Sequence, residues 1–367
     1  MARAQTSEPT PAAAPMPAST SASTPAPTPE AKPPQATHKK SRKVPTSDLW
    51  LYGKTSGPPE ELWGDNDPEM QAMVEKELAK IPLLSKANDD GRLSLAVVDI
   101  TNPDAIRYTF IQPDHEVFTA SLSKLAVLLG VISKIRASGH PEKLEELRPQ
   151  LDQMIKMSSN EDAIALFKWA GHSAIRDALY AHKLYDDDKG GLWWTLASAH
   201  KPEQLSHKEH LAICGTSRQV ARYLLQMEQG RLVSPEDSRT IKDVTHNSSL
   251  VIFSQGIKKA FPHIEYYGKP GIYGTTVAEG LLIESKNVHY ILVALTQGMD
   301  YQAPAFGDFG RGIHAAMEAR HAPSPTPTPT PAPNPNPTAA PAPTSKPAAT
   351  PTSAPTPATP APQEHKQ

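Results

Sequence analysis

With one cysteine in the chain, Cys214, neither an internal disulfide framework nor a cysteine-ligated zinc site can be built. Long apolar runs are missing as well, so no segment reads as a membrane span. The first residues, MARAQTSEPTPAAAPMPAS, lack the stretch of seven or more apolar residues that forms a signal-peptide core, and export is not encoded as written. Net charge is low, −2 overall, and the central part carries 29 basic against 36 acidic residues. That balance argues against a nucleic-acid-binding core.

Proline is abundant but unevenly placed. Residues 1–47 hold ten of the 39 prolines and residues 322–367 hold sixteen, leaving thirteen for the 274 residues between. Tracts that alternate Pro with Ala, Thr and Ser bury too little apolar area to offset chain entropy. The division expected is a disordered basic arm (1–47), one folded domain (48–321) and a disordered tail (322–367). The basic run at 38–43 reads as a solvated linker, with contact to phosphate or anionic lipid as the rarer alternative.

Within the central part, residues 67–84 have helical periodicity. Residues 92–100 and 107–111 read as two strands joined by the turn Asn102-Pro103-Asp104. A long helical stretch follows, then strands at 264–269, 277–284 and 289–296, and a last helix from about Phe309 to Arg320. Strands at both ends with helices between them predict one α+β domain whose sheet is assembled from the two ends of the chain.

Three segments carry candidate chemistry. Ser121-Leu122-Ser123-Lys124 opens a run that is apolar nearly all round, as a central helix would be. Residues three apart share a helix face, which brings the Ser121 hydroxyl toward the Lys124 amine, and a helix N-terminus favours an acyl oxyanion. A lysine base must lose about three units of pKa to work near neutrality, which burial and a second cation supply. The alternative is a capping Ser121 and an outward Lys124. The second segment, 157–163, offers the Ser158 hydroxyl as a proton relay and the Asn160 amide as a substrate ligand. The commoner reading is a helix cap, Ser159 or Asn160, with two acids in the first turn. The third, 266–271, has Lys269 to raise positive potential and Gly271 to admit substrate to the backbone, or else forms a strand-ending turn at Lys269-Pro270-Gly271.

Taken together, Ser-x-x-Lys, Ser-x-Asn and Lys-x-Gly in this order resemble the class A β-lactamase-like serine hydrolases of the β-lactamase and penicillin-binding protein superfamily. The resemblance runs over about residues 65–320. It implies a five-stranded antiparallel sheet flanked by helices, packed against an all-helical subregion, with the cleft between them. By motif, Ser121 is then the acylated nucleophile, Lys124 its base and Ser158 the proton relay. Asn160, Lys269 and Gly271 meet the substrate, and the backbone N–H groups of Ser121 and Ile272 form the oxyanion hole. The substrate implied is a β-lactam or cell-wall peptide, the habitat periplasmic or extracellular, and the state monomeric, with no cofactor, metal, nucleic acid or membrane span.

Four departures from the family pattern bear on this expectation. Only 37 positions separate Ser121 from Ser158, so the connection is shortened. Ser159 stands where an Asp is usual. Pro270 replaces a hydroxyl residue and requires an unpaired strand edge. Between Tyr185 and Thr216, where the family carries the glutamate that activates water for deacylation, Glu203 is the nearest stand-in. Without such a base the acyl-enzyme persists, as in a penicillin-binding protein. A catalytically inactive binding member and a carboxylesterase using the same pair are the other readings.

The remaining conspicuous residues read as follows. His200, His207 and His210 with Glu203 and Glu209 match no helical zinc motif. Asp186-Asp187-Asp188 reads as a solvated turn rather than a calcium loop. Trp193 and Trp194 line a cleft or fill the space under a loop, and Cys214 reads as a small buried apolar side chain.

Overall fold

The structure is a computed structural model that describes residues 48–196, 201–248 and 252–322. The arm at 1–47 with its basic run, nearly all of the tail, and His200 lie outside the described residues.

Helix α1, Pro68–Ala79, starts behind Asp67, whose carboxylate accepts from the Met70 N–H. It does not run on to residue 84 as its periodicity predicts. Pro82 has no amide hydrogen and holds Ile81 extended, so the chain restarts as α2, Pro82–Asp89. The predicted hairpin follows as β1, Leu93–Asp99, and β2, Arg107–Ile111, antiparallel with Leu95 opposite Ile111.

A 3-10 turn, Ala120–Ser123, leads into α3, Lys124–Ser138, then α4, Glu142–Lys156, α5, Asn160–Ala170, and α6, His172–Ala181. Four two-residue strands come next: β3, Tyr185–Asp186, β4, Gly190–Gly191, β5, Trp193–Trp194, and β6, Ile213–Cys214. They form two small ladders, β3 with β4 and β5 with β6. Helices α7, Ser217–Glu228, α8, Pro235–Thr245, and α9, Phe253–Ala260, return the chain to β7, Glu265–Tyr273, β8, Thr276–Glu284, and β9, His289–Thr296. Helix α10, Ala303–Arg320, starts six residues before the predicted Phe309, with Pro304 in its first turn. Glycines at 307, 310 and 312 hide its periodicity in the sequence.

The main sheet has five strands in the order β2-β1-β9-β8-β7, every neighbouring pair antiparallel, as expected. Alternate residues of each strand enter different cores. Ala96, Val98, Ile291 and Val293 pack with α3 and α7 on one face, and Leu95, Val97, Leu292 and Ala294 with α1 and α10 on the other. Because both faces are covered, the strands read as near-continuous apolar runs. Among the described residues no helix is long and apolar enough to cross a membrane.

Helix α3 is the axis of the helical half. Leu125 to Ile132 are all buried, and Gly130 packs so closely on α6 that a Cβ there would meet the Ile175 Cα at 2.7 Å. This helix, buried over its first turns, begins at Lys124 and fixes the position of the residues just before it.

Candidate active site

Ser121 stands in the 3-10 turn rather than on α3, after Ala120 at φ 48. The turn is pinned from outside by β7. A Cβ on Gly271 would lie 2.8 Å from the Leu122 nitrogen and 3.0 Å from that of Ser121. Gly271 therefore lets the Ser121 backbone approach the strand, a contact not foreseen beside the substrate access expected of it. Strand and turn meet backbone to backbone.

β7 is an edge strand, which is what Pro270 requires, since its missing N–H would break an inner ladder. Lys269-Pro270-Gly271 lies inside this nine-residue strand and does not end it, so the turn reading of that segment is corrected. Its register with β8 is continuous, Lys269 opposite Gly280 and Pro270 opposite Glu279. The carbonyls of Tyr266 and Pro270 point away from β8, accepting from the Asn247 N–H and from Lys269 Nζ. Strand alternation turns the Ile272 N–H to the same open side.

Lys124 is buried, 2% exposed, at the first position of α3. Its Nζ donates to the Ser158 carbonyl oxygen at 2.6 Å and to Asn160 Oδ1 at 2.7 Å. Burial holds its pKa down at about 8. The outward lysine considered from sequence is thus excluded. Lys269, fully buried, donates to Ser158 Oγ at 2.9 Å and to the Pro270 carbonyl at 3.2 Å. Burial, and then the charge of Lys124, lower its pKa to about 7. Behind it on β8, the buried Glu279 carboxyl is pushed up to about 7 by burial, although it accepts from the N–H and hydroxyl of Ser254.

The cap reading of residues 157–163 holds. Ser159 caps α5, accepting from the Asp162 N–H at 3.1 Å. The cap leaves Ser158 at φ 59 just before the helix and Asn160 at its start, both turned to the lysines. Between the first two motifs the chain forms only α3 and α4, in keeping with the shortened connection.

Ser121, Lys124 and Asn160 open on a cavity of about 660 Å³ shared with Phe118, Ala120, Ile164, Trp194, Leu196, Ile213, Ile272 and Tyr273. No carboxylate lines it among the described residues. Glu203 sits exposed in a 3-10 turn, Pro202–Gln204, away from this lining, so it does not stand in for a deacylating base.

The two tryptophans divide. Trp194 faces the cavity, whereas Trp193 lies under the loop, packed on Tyr185 and donating from Nε1 to the Gln204 carbonyl. Asp186 closes a turn by accepting from the N–H groups of Asp188 and Lys189. Cys214 is fully buried, its thiol pKa raised by burial. No group of His, Cys, Asp and Glu suited to a metal ion occurs among the described residues. Sequence reasoning missed the apolar wall, Phe118, Ile164, Ile213 and Tyr273. The one signal for it was the presence of large apolar residues beside motif residues, as in FTASLSK and KPGIYG.

Residues 139–317 match the beta-lactamase enzyme family, a match that includes Ser158, Asn160 and Lys269 and starts after Ser121. The chain is β-lactamase-like. Solved structures share the fold of this β-lactamase-like domain at low identity. A β-lactamase from Sphaerobacter thermophilus is 14% identical with a TM-score of 0.52, covering 68% of this chain and 97% of its own. PBP-A is 14% identical with a TM-score of 0.53, covering 71% and 99%. A β-lactamase from Chitinophaga pinensis is 11% identical with a TM-score of 0.51, covering 69% and 99%. No curated protein matches the sequence.

Proposed function

We propose that this protein is a serine acyl-transfer enzyme in which Ser121 opens a β-lactam or related amide and retains the acyl group for a long time. One observation carries this reading: the two hydrogen bonds that Lys124 Nζ gives to Ser158 O and Asn160 Oδ1. A neutral amine has two N–H donors and one lone pair. With both donors engaged, the lone pair is the remaining valence, available to the Ser121 hydroxyl one turn away. Burial supplies the lowered pKa that such a base needs.

In the proposed reaction, Lys124 takes the Ser121 proton as Oγ bonds to the carbonyl carbon. The oxyanion is held by the N–H groups of Ser121 and Ile272. The C–N bond then breaks, and the Ser158 hydroxyl passes a proton to the leaving nitrogen. Lys269 orients Ser158, and the proton that Lys124 took from Ser121 makes good the one that Ser158 gives up. Asn160 fixes Lys124 and faces the substrate. Persistence is supported by the lining, in which, among the described residues, no carboxylate is placed to activate water. The reading implies a periplasmic or extracellular setting, where cell-wall peptides and β-lactams are met.

A chromogenic cephalosporin combined with intact-mass analysis tests this. Slow colour release with a stoichiometric adduct, absent in Ser121→Ala, is expected. Fast multiple turnover without an adduct would instead identify an efficient β-lactamase. A folded protein that gives neither would overturn the acyl-enzyme reading.

A further inference from the structure

The cavity beside Ser121 has two apolar walls. On the sheet side Tyr273, 72% exposed, meets Phe118 edge-on with ring centres 6.0 Å apart, next to Ile272, 40% exposed. On the helical side Trp194 packs on Phe167 with ring centres 5.0 Å apart and stands beside Ile164, 38% exposed. Three of the seven exposed large hydrophobic side chains among the described residues thus border this one opening. Such clustering marks a surface that is covered when the protein works.

Among the described residues, the polar side chains in the lining besides the Tyr273 hydroxyl and the Trp194 indole N–H are Ser121, Lys124 and Asn160. The charged one, Lys124, already donates to Ser158 and Asn160. Lys269 lies beneath the surface, fully buried and outside the lining. A carboxylate or ammonium carried on the acyl side chain between these two walls would lose its water without gaining a dedicated partner.

We propose that the site selects substrates by an uncharged apolar acyl side chain of aromatic size, seated between Tyr273 and Trp194. This rests on the acyl-enzyme reading above. Selection is then made by the acyl half of the substrate.

The test compares two penicillins with one nucleus, the first with a benzyl side chain and the second with a carboxylate added to that benzyl carbon. The rate constant for adduct formation on Ser121 is followed by intact mass. The benzyl compound should react about tenfold faster or more, and Tyr273→Ser should shrink that ratio because it opens one wall. Equal rates, a faster carboxylated compound, or a ratio unchanged by Tyr273→Ser would overturn the selectivity and leave acylation by Ser121 standing. Absence of an adduct with either compound would remove both the selectivity and the reading beneath it.

Discussion

Lys124 and Lys269 donate to the same residue, Lys124 to the carbonyl oxygen of Ser158 at 2.6 Å and Lys269 to its hydroxyl at 2.9 Å. Burial disfavours the charge of both amines, and at Lys269 the charge of Lys124 adds to it. Ser158 is thus held by both lysines, at its main chain by Lys124 and at its side chain by Lys269.

The first consequence is a pH dependence with a definite sign. In the proposed reaction the neutral form of Lys124 is the base, and its pKa is held at about 8, so the active fraction grows as pH rises through that value. At pH 7 only about a tenth of the amine is neutral. Acylation should therefore rise about tenfold between pH 7 and 9 and then level off. Stopped-flow acylation across that range checks it, and a rate that falls with rising pH would be contrary to a lysine base.

Replacing Lys269 separates stability from activity. A fully buried lysine is costly to hold, and Lys269→Met removes that cost in a similar volume. Stability should rise by about 1 kcal/mol or more in urea unfolding, while acylation falls by about a hundredfold because Ser158 loses its donor.

Gly271 tests the backbone contact. Gly271→Ala forces a Cβ toward the Leu122 and Ser121 nitrogens, atoms that cannot rotate aside. The expected outcome is a loss of about 1–3 kcal/mol and a fall in acylation larger than that loss explains, because the nucleophile itself shifts. Thermal unfolding and adduct formation measured on the same sample distinguish the two effects.

Glu203 should be silent. It is exposed and outside the cavity lining, so Glu203→Gln should leave the lifetime of the acyl-enzyme within about twofold of the parent. A marked lengthening would restore it as the deacylating base.

Much of this was legible in the sequence because it is local. Ser-x-x-Lys needs only the geometry of one turn, and the strands of the main sheet announce themselves as apolar runs. The order of the three motifs placed Ser158, Asn160 and Lys269 in one resemblance, and the structure brings them together. What was hidden depends on distant neighbours. That β7 continues through Pro270 follows from its place at the sheet edge, which composition does not state. Gly271 reads as substrate access, and its contact with the Ser121 turn is not legible in the sequence. Trp193 and Trp194, adjacent in sequence, point to opposite sides of a short ladder, so one packs under a loop while the other faces the cavity. The break between α1 and α2 was signalled by Pro82 but masked by apolar residues that continue the helical period.

The central claim is most directly tested by peptide mapping after exposure to benzylpenicillin. A single acyl group on Ser121, still present after hours and lost in Lys124→Ala, is the predicted result. An unmodified Ser121 in folded protein, or an acyl group on another residue, would contradict the account.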